Sequence, residues 1–217
     1  MRRPAVDYRN FRLSRINEAE FKHLKLLLGW VGYFALYVLT ERMITAERCF
    51  VVHSRLDDLI PFCEWFVIPY VAWYGLIVFS LIWFALYNVK GFCALQTYII
   101  VTQVVAMAIY ILLPTRQELR PVVFPRENIL VDLVAALYRL DTSTNVCPSL
   151  HVAYSLGIAS VWLREKTVHR GWRLLILAAV VLICLSTMFI KQHSAVDVFA
   201  ALPVCVLAEW VAFYRKK

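Results

Sequence analysis

The chain has 217 residues, 61% of them apolar and 18% charged, with a mean hydropathy of +0.65 and a net charge of +8. Soluble domains carry roughly 45–50% apolar residues, so this composition argues against a soluble protein and for one whose surface is largely solvated by lipid. The basic excess lies mostly at the ends and beside apolar stretches, a pattern that suits anionic lipid and not nucleic acid.

In chain order, residues 1–23 form a basic segment in which Phe11, Leu13, Ile16 and Phe21 alternate with cations, as expected of an interfacial helix on the cytoplasmic side. A helix needs about 20 mostly apolar residues to cross a bilayer. Six stretches approach that length: Leu24 to Thr40, Val67 to Tyr87, Phe92 to Leu113, Ser149 to Leu163, Trp172 to Ile190 and Val196 to Tyr214. Continuous apolar runs of this size disfavour a β-barrel, whose strands alternate. Cys49 and Cys63 fall in the first connecting loop, where they could pair. Between the third and fourth stretches, Ile129, Leu130, Leu133, Val134 and Leu137 recur at helical spacing opposite Asp132 and Arg139, which predicts an amphipathic interfacial helix. His23, His53 and His169 match no motif and are expected in solvent, and Glu209 is expected to reach the inner interface near Arg215. The whole chain, 1–217, reads as one all-α domain: a six-transmembrane helix bundle with interfacial helices.

Most of the 23 lysines and arginines fall in the termini and in the loops on the same side as the termini. This places both termini in the cytoplasm. Two polar islands then share the outer face: Cys147-Pro148-Ser149-Leu150-His151, and Ser186 through Lys191-Gln192-His193 to Asp197. Each puts an imidazole at the end of an apolar helix, where a charge costs roughly 2.5–3.5 kcal/mol or more and is seldom kept without a role. His193 and Asp197 are four residues apart, so on one helix the carboxylate can orient one ring nitrogen and leave the other as a nucleophile. His151 follows Pro148 and Ser149, which suit a helix start whose free N–H groups favour an anion. Arg116, Arg120 and Lys191 lie on the same predicted face as candidate phosphate ligands.

Pro148-Ser149-Leu150-His151 resembles the Pro-Ser-Gly-His motif of the type 2 phosphatidic acid phosphatase superfamily. Ser186, His193 and Asp197 fit its Ser-Arg-x5-His-x3-Asp spacing, and Arg120-Pro121 resembles the end of its Lys-x6-Arg-Pro motif. The resemblance covers about residues 92–213. Leu113, Leu150 and Thr187 stand where the family has lysine, glycine and arginine, and Arg116 and Lys191 are the expected substitutes for the two missing cations. The Pro-Ser-Leu-His form also resembles the inositol phosphorylceramide synthase branch.

The resemblance implies catalysis by His193, His151 and Asp197. His193 attacks phosphorus, Asp197 holds its ring, and His151 protonates the leaving oxygen; Arg120, Arg116, Lys191, Ser149 and Ser186 bind the phosphate. It implies a phosphohistidine intermediate and no cofactor or metal. Cys147 is a weaker nucleophile candidate than the histidines. The expected activity is a lipid phosphatase of the plasma membrane, acting at the outer face on a phospholipid or polyprenyl phosphate, with no obligatory protein partner. The alternatives are a lipid phosphotransferase that passes a phosphorylated head group to a lipid alcohol, and a non-catalytic lipid-binding or transport protein.

Overall fold

The structure, a computed structural model, describes residues 4–215. Arg2, Arg3, Lys216 and Lys217 of the basic termini lie outside the described residues. After short 3-10 turns come helix α1 (Leu28–Met43), strand β1 (Phe50–Val51) and helices α2 (Arg55–Leu59), α3 (Val67–Tyr87) and α4 (Val89–Leu112). Strand β2 (Thr115–Arg116) precedes α5 (Ile129–Leu140), α6 (Leu150–Arg164), α7 (Arg170–Phe189) and α8 (Ala195–Glu209), which continues as one π-helical turn through Tyr214. Strands β1 and β2 pair in parallel, Phe50 with Thr115 and Val51 with Arg116. Everything else regular is helix.

Among the described residues five helical segments are long and apolar enough to cross a membrane: Lys22–Met43, Glu64–Tyr87, Val89–Leu112, Arg170–Phe189 and Ala195–Tyr214. They mark a membrane protein. Large apolar side chains project outward from them, among them Val31, Phe34, Ile68, Val78, Ile82, Leu174 and Val181, a surface that water would not tolerate at this extent. The expected fourth span, α6, has 15 residues. At 1.5 Å per residue that is about 22 Å, short of the roughly 30 Å hydrocarbon. Helix α6 is instead the central element, packed on α3, α4, α7 and α8 and buried around most of its circumference.

Helices α4 and α6 approach closely. A Cβ at Gly157 would lie 2.5 Å from Cδ1 and 2.7 Å from Cε1 of Tyr98, so glycine is what lets the buried Tyr98 ring lie against the α6 backbone. Trp162 on the same helix donates to Ser80 Oγ at 2.9 Å, satisfying its indole in the core between α3 and α6.

The two ends of the bundle differ. At the end that carries the termini, Tyr8 donates to the Ala85 carbonyl and bonds His23 Nε2 at 2.7 Å. His23 is therefore buried, edge-on to Phe92, and not in solvent as its lack of a motif suggested. Asn88 caps α4 and donates to Glu165 at 2.6 Å. Glu209 meets Ser160 and Arg164 in place of Arg215. All six cysteines are free thiols, so Cys49 and Cys63 do not pair. Helix α5 forms where the periodicity places it, but the side chains it buries are Val131 and Val134, the latter in a cluster with Val67, Tyr70 and Ile190.

Gly157→Ala is expected to force Tyr98 off its ring position and to cost about 1–3 kcal/mol, read as a lowered melting temperature of the purified protein in detergent.

Candidate active site

Helix α7 ends by folding its following residues back on itself: the Thr187 carbonyl accepts from the amides of both Gln192 and His193. Lys191 takes φ 56°, and the chain re-enters helix at Ser194, the N-cap of α8. A capping box forms there, with the Asp197 carboxylate accepting from the Ser194 amide at 2.9 Å. The same Oδ2 meets His193 Nδ1 at 3.2 Å. That pairing places the proton on Nδ1 and leaves Nε2 as the free lone pair. Asp197 is fully buried and the His193 side chain is 11% exposed.

Helix α6 brings the second histidine. The loop before it is held by Tyr110, whose hydroxyl donates to the Pro148 carbonyl at 2.7 Å. Ser149 caps the helix, accepting from the Val152 amide. His151, in the first turn, stacks on Trp73 and Tyr70 with ring centroids 3.9 and 4.5 Å away. Its ring centroid is 5.8 Å from that of His193, a gap on the scale of one phosphoryl group, and its Nε2 is buried with no hydrogen-bond partner.

Both histidines face a cavity of about 820 Å³. Its long apolar part lies between α1 and α3, walled by Trp30, Tyr33, Phe34, Tyr37, Ile77 and Val78. Its polar end is formed by Asp141, Thr142, Thr144, Asn145, Gln192 and the two histidines. Among the described residues no lysine or arginine lines it.

The structure thus brings together His193, His151 and Asp197, and sends the expected phosphate ligands elsewhere. Lys191 donates to the carbonyls of Asp57 and Ile60 at 2.8 and 2.5 Å, and burial holds its ammonium below its ordinary value. Arg116 pairs with Glu118 at 2.6 Å. Arg120 donates to the carbonyls of Tyr138, Asp141 and Thr142 and to Gln192 Oε1, with its guanidinium over the Tyr138 ring. It clamps the loop instead of lining the cavity. The Ser149 amide is already bonded to the Asp197 carbonyl at 3.0 Å, and Ser186 Oγ donates to Ile183 within its own helix. Burial, with the Asp197 charge adding to it, pushes the Cys147 thiol up to about 12, so it holds little thiolate near neutrality.

Two residues of the site have no motif. Asp57 on α2 is buried and accepts from Ser194 Oγ at 2.6 Å, the Ala195 amide at 2.7 Å and the Ser54 amide at 2.7 Å, reaching across 137 positions to fix the start of α8. Burial alone would raise its carboxyl; the bonds from Ser194, Ala195 and Ser54 outweigh that and hold it below the ordinary carboxylate value. The local signal was the Ser54-x-x-Asp57 capping box, which names a short helix but not its distant partner. Asp141 lines the cavity and accepts from the Tyr70 hydroxyl at 3.3 Å, with burial raising its carboxyl.

No protein-family model, curated protein or solved structure matches the chain.

Asp57→Asn should cost about 2–3 kcal/mol, the scale of hydrogen bonds to a charged group. Because the folded carboxyl is depressed, its contribution is present above the ordinary carboxylate range and is lost as pH falls through the lowered folded value. Melting curves from pH 7 downward should therefore show a shallower acid slope for the variant than for the parent.

Proposed function

We propose that the chain is an integral membrane enzyme that cleaves a lipid phosphate ester through a phosphohistidine, in the manner of the type 2 phosphatidic acid phosphatase superfamily. The observation that carries this reading is the Asp197-held His193 facing His151 at the polar end of an aromatic cavity.

In the first half-reaction His193 Nε2 attacks phosphorus while the ester P–O bond breaks and the departing oxygen takes a proton from His151. Asp197 stabilises the ring as it gains positive character. In the second, water or a lipid hydroxyl attacks phosphorus, its proton passes to His151, and the P–N bond breaks to restore His193.

Two acceptors give two activities. With water the enzyme is a lipid phosphatase acting on a phosphomonoester or diphosphate lipid. With a lipid alcohol it transfers a phosphorylated head group, as in the inositol phosphorylceramide synthase branch. The cation-free lining favours the second, because a singly charged phosphodiester needs less compensation there than a dianionic monoester. In the membrane we place the bundle with α6 as a sixth, protein-enclosed crossing, α5 at the interface, both termini in the cytoplasm and the histidines at the outer face of the plasma membrane.

The test incubates purified protein with a phospholipid panel, following free phosphate, released head group and new lipid products beside His193→Ala. Activity should fall about 10,000-fold in His193→Ala and by roughly 100-fold or more in Asp197→Asn. An acid-labile, alkali-stable phosphorylated protein should form only when His193 is present. If no product depends on His193 with any lipid, the chain is a lipid-binding or transport protein.

A further inference from the structure

The polar end of the cavity has an unusual charge balance for a phosphate site. Among the described residues its one acidic lining side chain is Asp141, and a second acidic side chain, Glu41, stands directly behind the lining, accepting from Asn145 Nδ2 and Thr142 Oγ1 at 2.7 Å each. The cations of the same loops are turned onto Glu118 and onto backbone carbonyls. A phosphate entering alone would meet Asp141, with the nearest guanidinium, Arg120, behind the lining and already donating to the Asp141 and Thr142 carbonyls and to Gln192. A sugar or polyol head group fares little better, since the Thr142, Thr144 and Asn145 donors are already engaged by Glu41.

The walls offer something else. Tyr33 and Tyr37 lie with ring centroids 6.0 Å apart on α1, Trp73 and Tyr74 with centroids 4.9 Å apart on α3, and all four line the cavity. Aromatic faces beside carboxylates are the surroundings that hold a quaternary or primary ammonium in place of water. Trp73 adds a donor: it is 7% exposed, it lines the cavity, and its Nε1 has no hydrogen-bond partner. An indole N–H of that kind suits a phosphate or ester oxygen without adding charge.

We propose that this end of the cavity receives a head group carrying an ammonium, so that the lipid recognised is a zwitterionic phosphodiester of the phosphocholine or phosphoethanolamine type. The phosphate sits between His151 and His193, the ammonium lies against Asp141 and the tyrosine faces, and the acyl chains fill the apolar part between α1 and α3. For turnover this assignment rests on the catalytic reading above; for binding it does not.

The experiment uses the full chain carrying His193→Ala in maltoside, with tryptophan fluorescence titrated by monomeric dihexanoyl phosphatidylcholine and, separately, dihexanoyl phosphatidic acid. The choline lipid should bind at least about tenfold more tightly, and Asp141→Asn should weaken it about tenfold while leaving phosphatidic acid unchanged or improved. Tyr37→Leu, at a half-buried position on α1, should weaken the choline lipid in the same direction if Asp141→Asn fails to fold. Equal or tighter binding of phosphatidic acid overturns the proposal. So does tetramethylammonium binding as tightly as the lipid, which would assign a soluble amine instead. Turnover by the parent protein separates the two readings. His193-dependent cleavage of phosphatidic acid with the choline lipid inert overturns the head-group assignment and leaves the catalysis standing. Preferential choline-lipid binding with no turnover of any lipid overturns the catalysis and leaves the assignment.

Discussion

Two carboxylates are held out of water at the first turn of α8, and among the described residues neither forms an ion pair with a lysine or arginine. Burying a carboxylate costs several kcal/mol unless hydrogen bonds replace its water. Here the Ser194 hydroxyl and the Ser54 and Ala195 amides meet Asp57, and the Ser194 amide and His193 Nδ1 meet Oδ2 of Asp197, at a helix start whose N–H groups and macrodipole favour negative charge. Satisfying Asp57 ties α2 to α8, and the carbonyl of Asp197 takes the Ser149 amide, tying α8 to α6. The position of His193 relative to His151 is therefore set by the hydrogen bonds that gather α2, α6 and α8 at the start of α8.

Much of the arrangement was legible in the residues themselves. Helix lengths follow from apolar runs that no other structure could carry through lipid, and the four-residue step from His193 to Asp197 survives intact because it is local to one helical turn. Helix α6 is the exception among the helices. Its composition reads as a span, yet it has 15 residues and packs against four other helices, and apolarity alone does not distinguish a lipid neighbour from a helix neighbour.

The cations show where local reading stops. Arg116, Arg120 and Lys191 lie close in sequence to the motifs, but a long flexible side chain goes to whichever acceptors are left unsatisfied nearby. In this fold those are Glu118, the ends of α2 and the turn after α5. The same holds for Asp57, whose partner is 137 positions away. Pairings of that reach leave no spacing to read, and they decide the electrostatic character of the cavity more than the motif residues do.

Helix α1 packs chiefly on α4, and the seam between α1 and α3 is occupied by the cavity. The apolar chamber therefore lies along the side of the bundle, between two of the helices long and apolar enough to cross a membrane. For a ligand that stays dissolved in the bilayer, such a doorway makes the relevant concentration a two-dimensional one: the mole fraction of that lipid among its neighbours. Dilution with inert lipid at constant bulk amount would then slow encounter, and the thickness and fluidity of the host membrane would enter the kinetics alongside the chemistry of the head group.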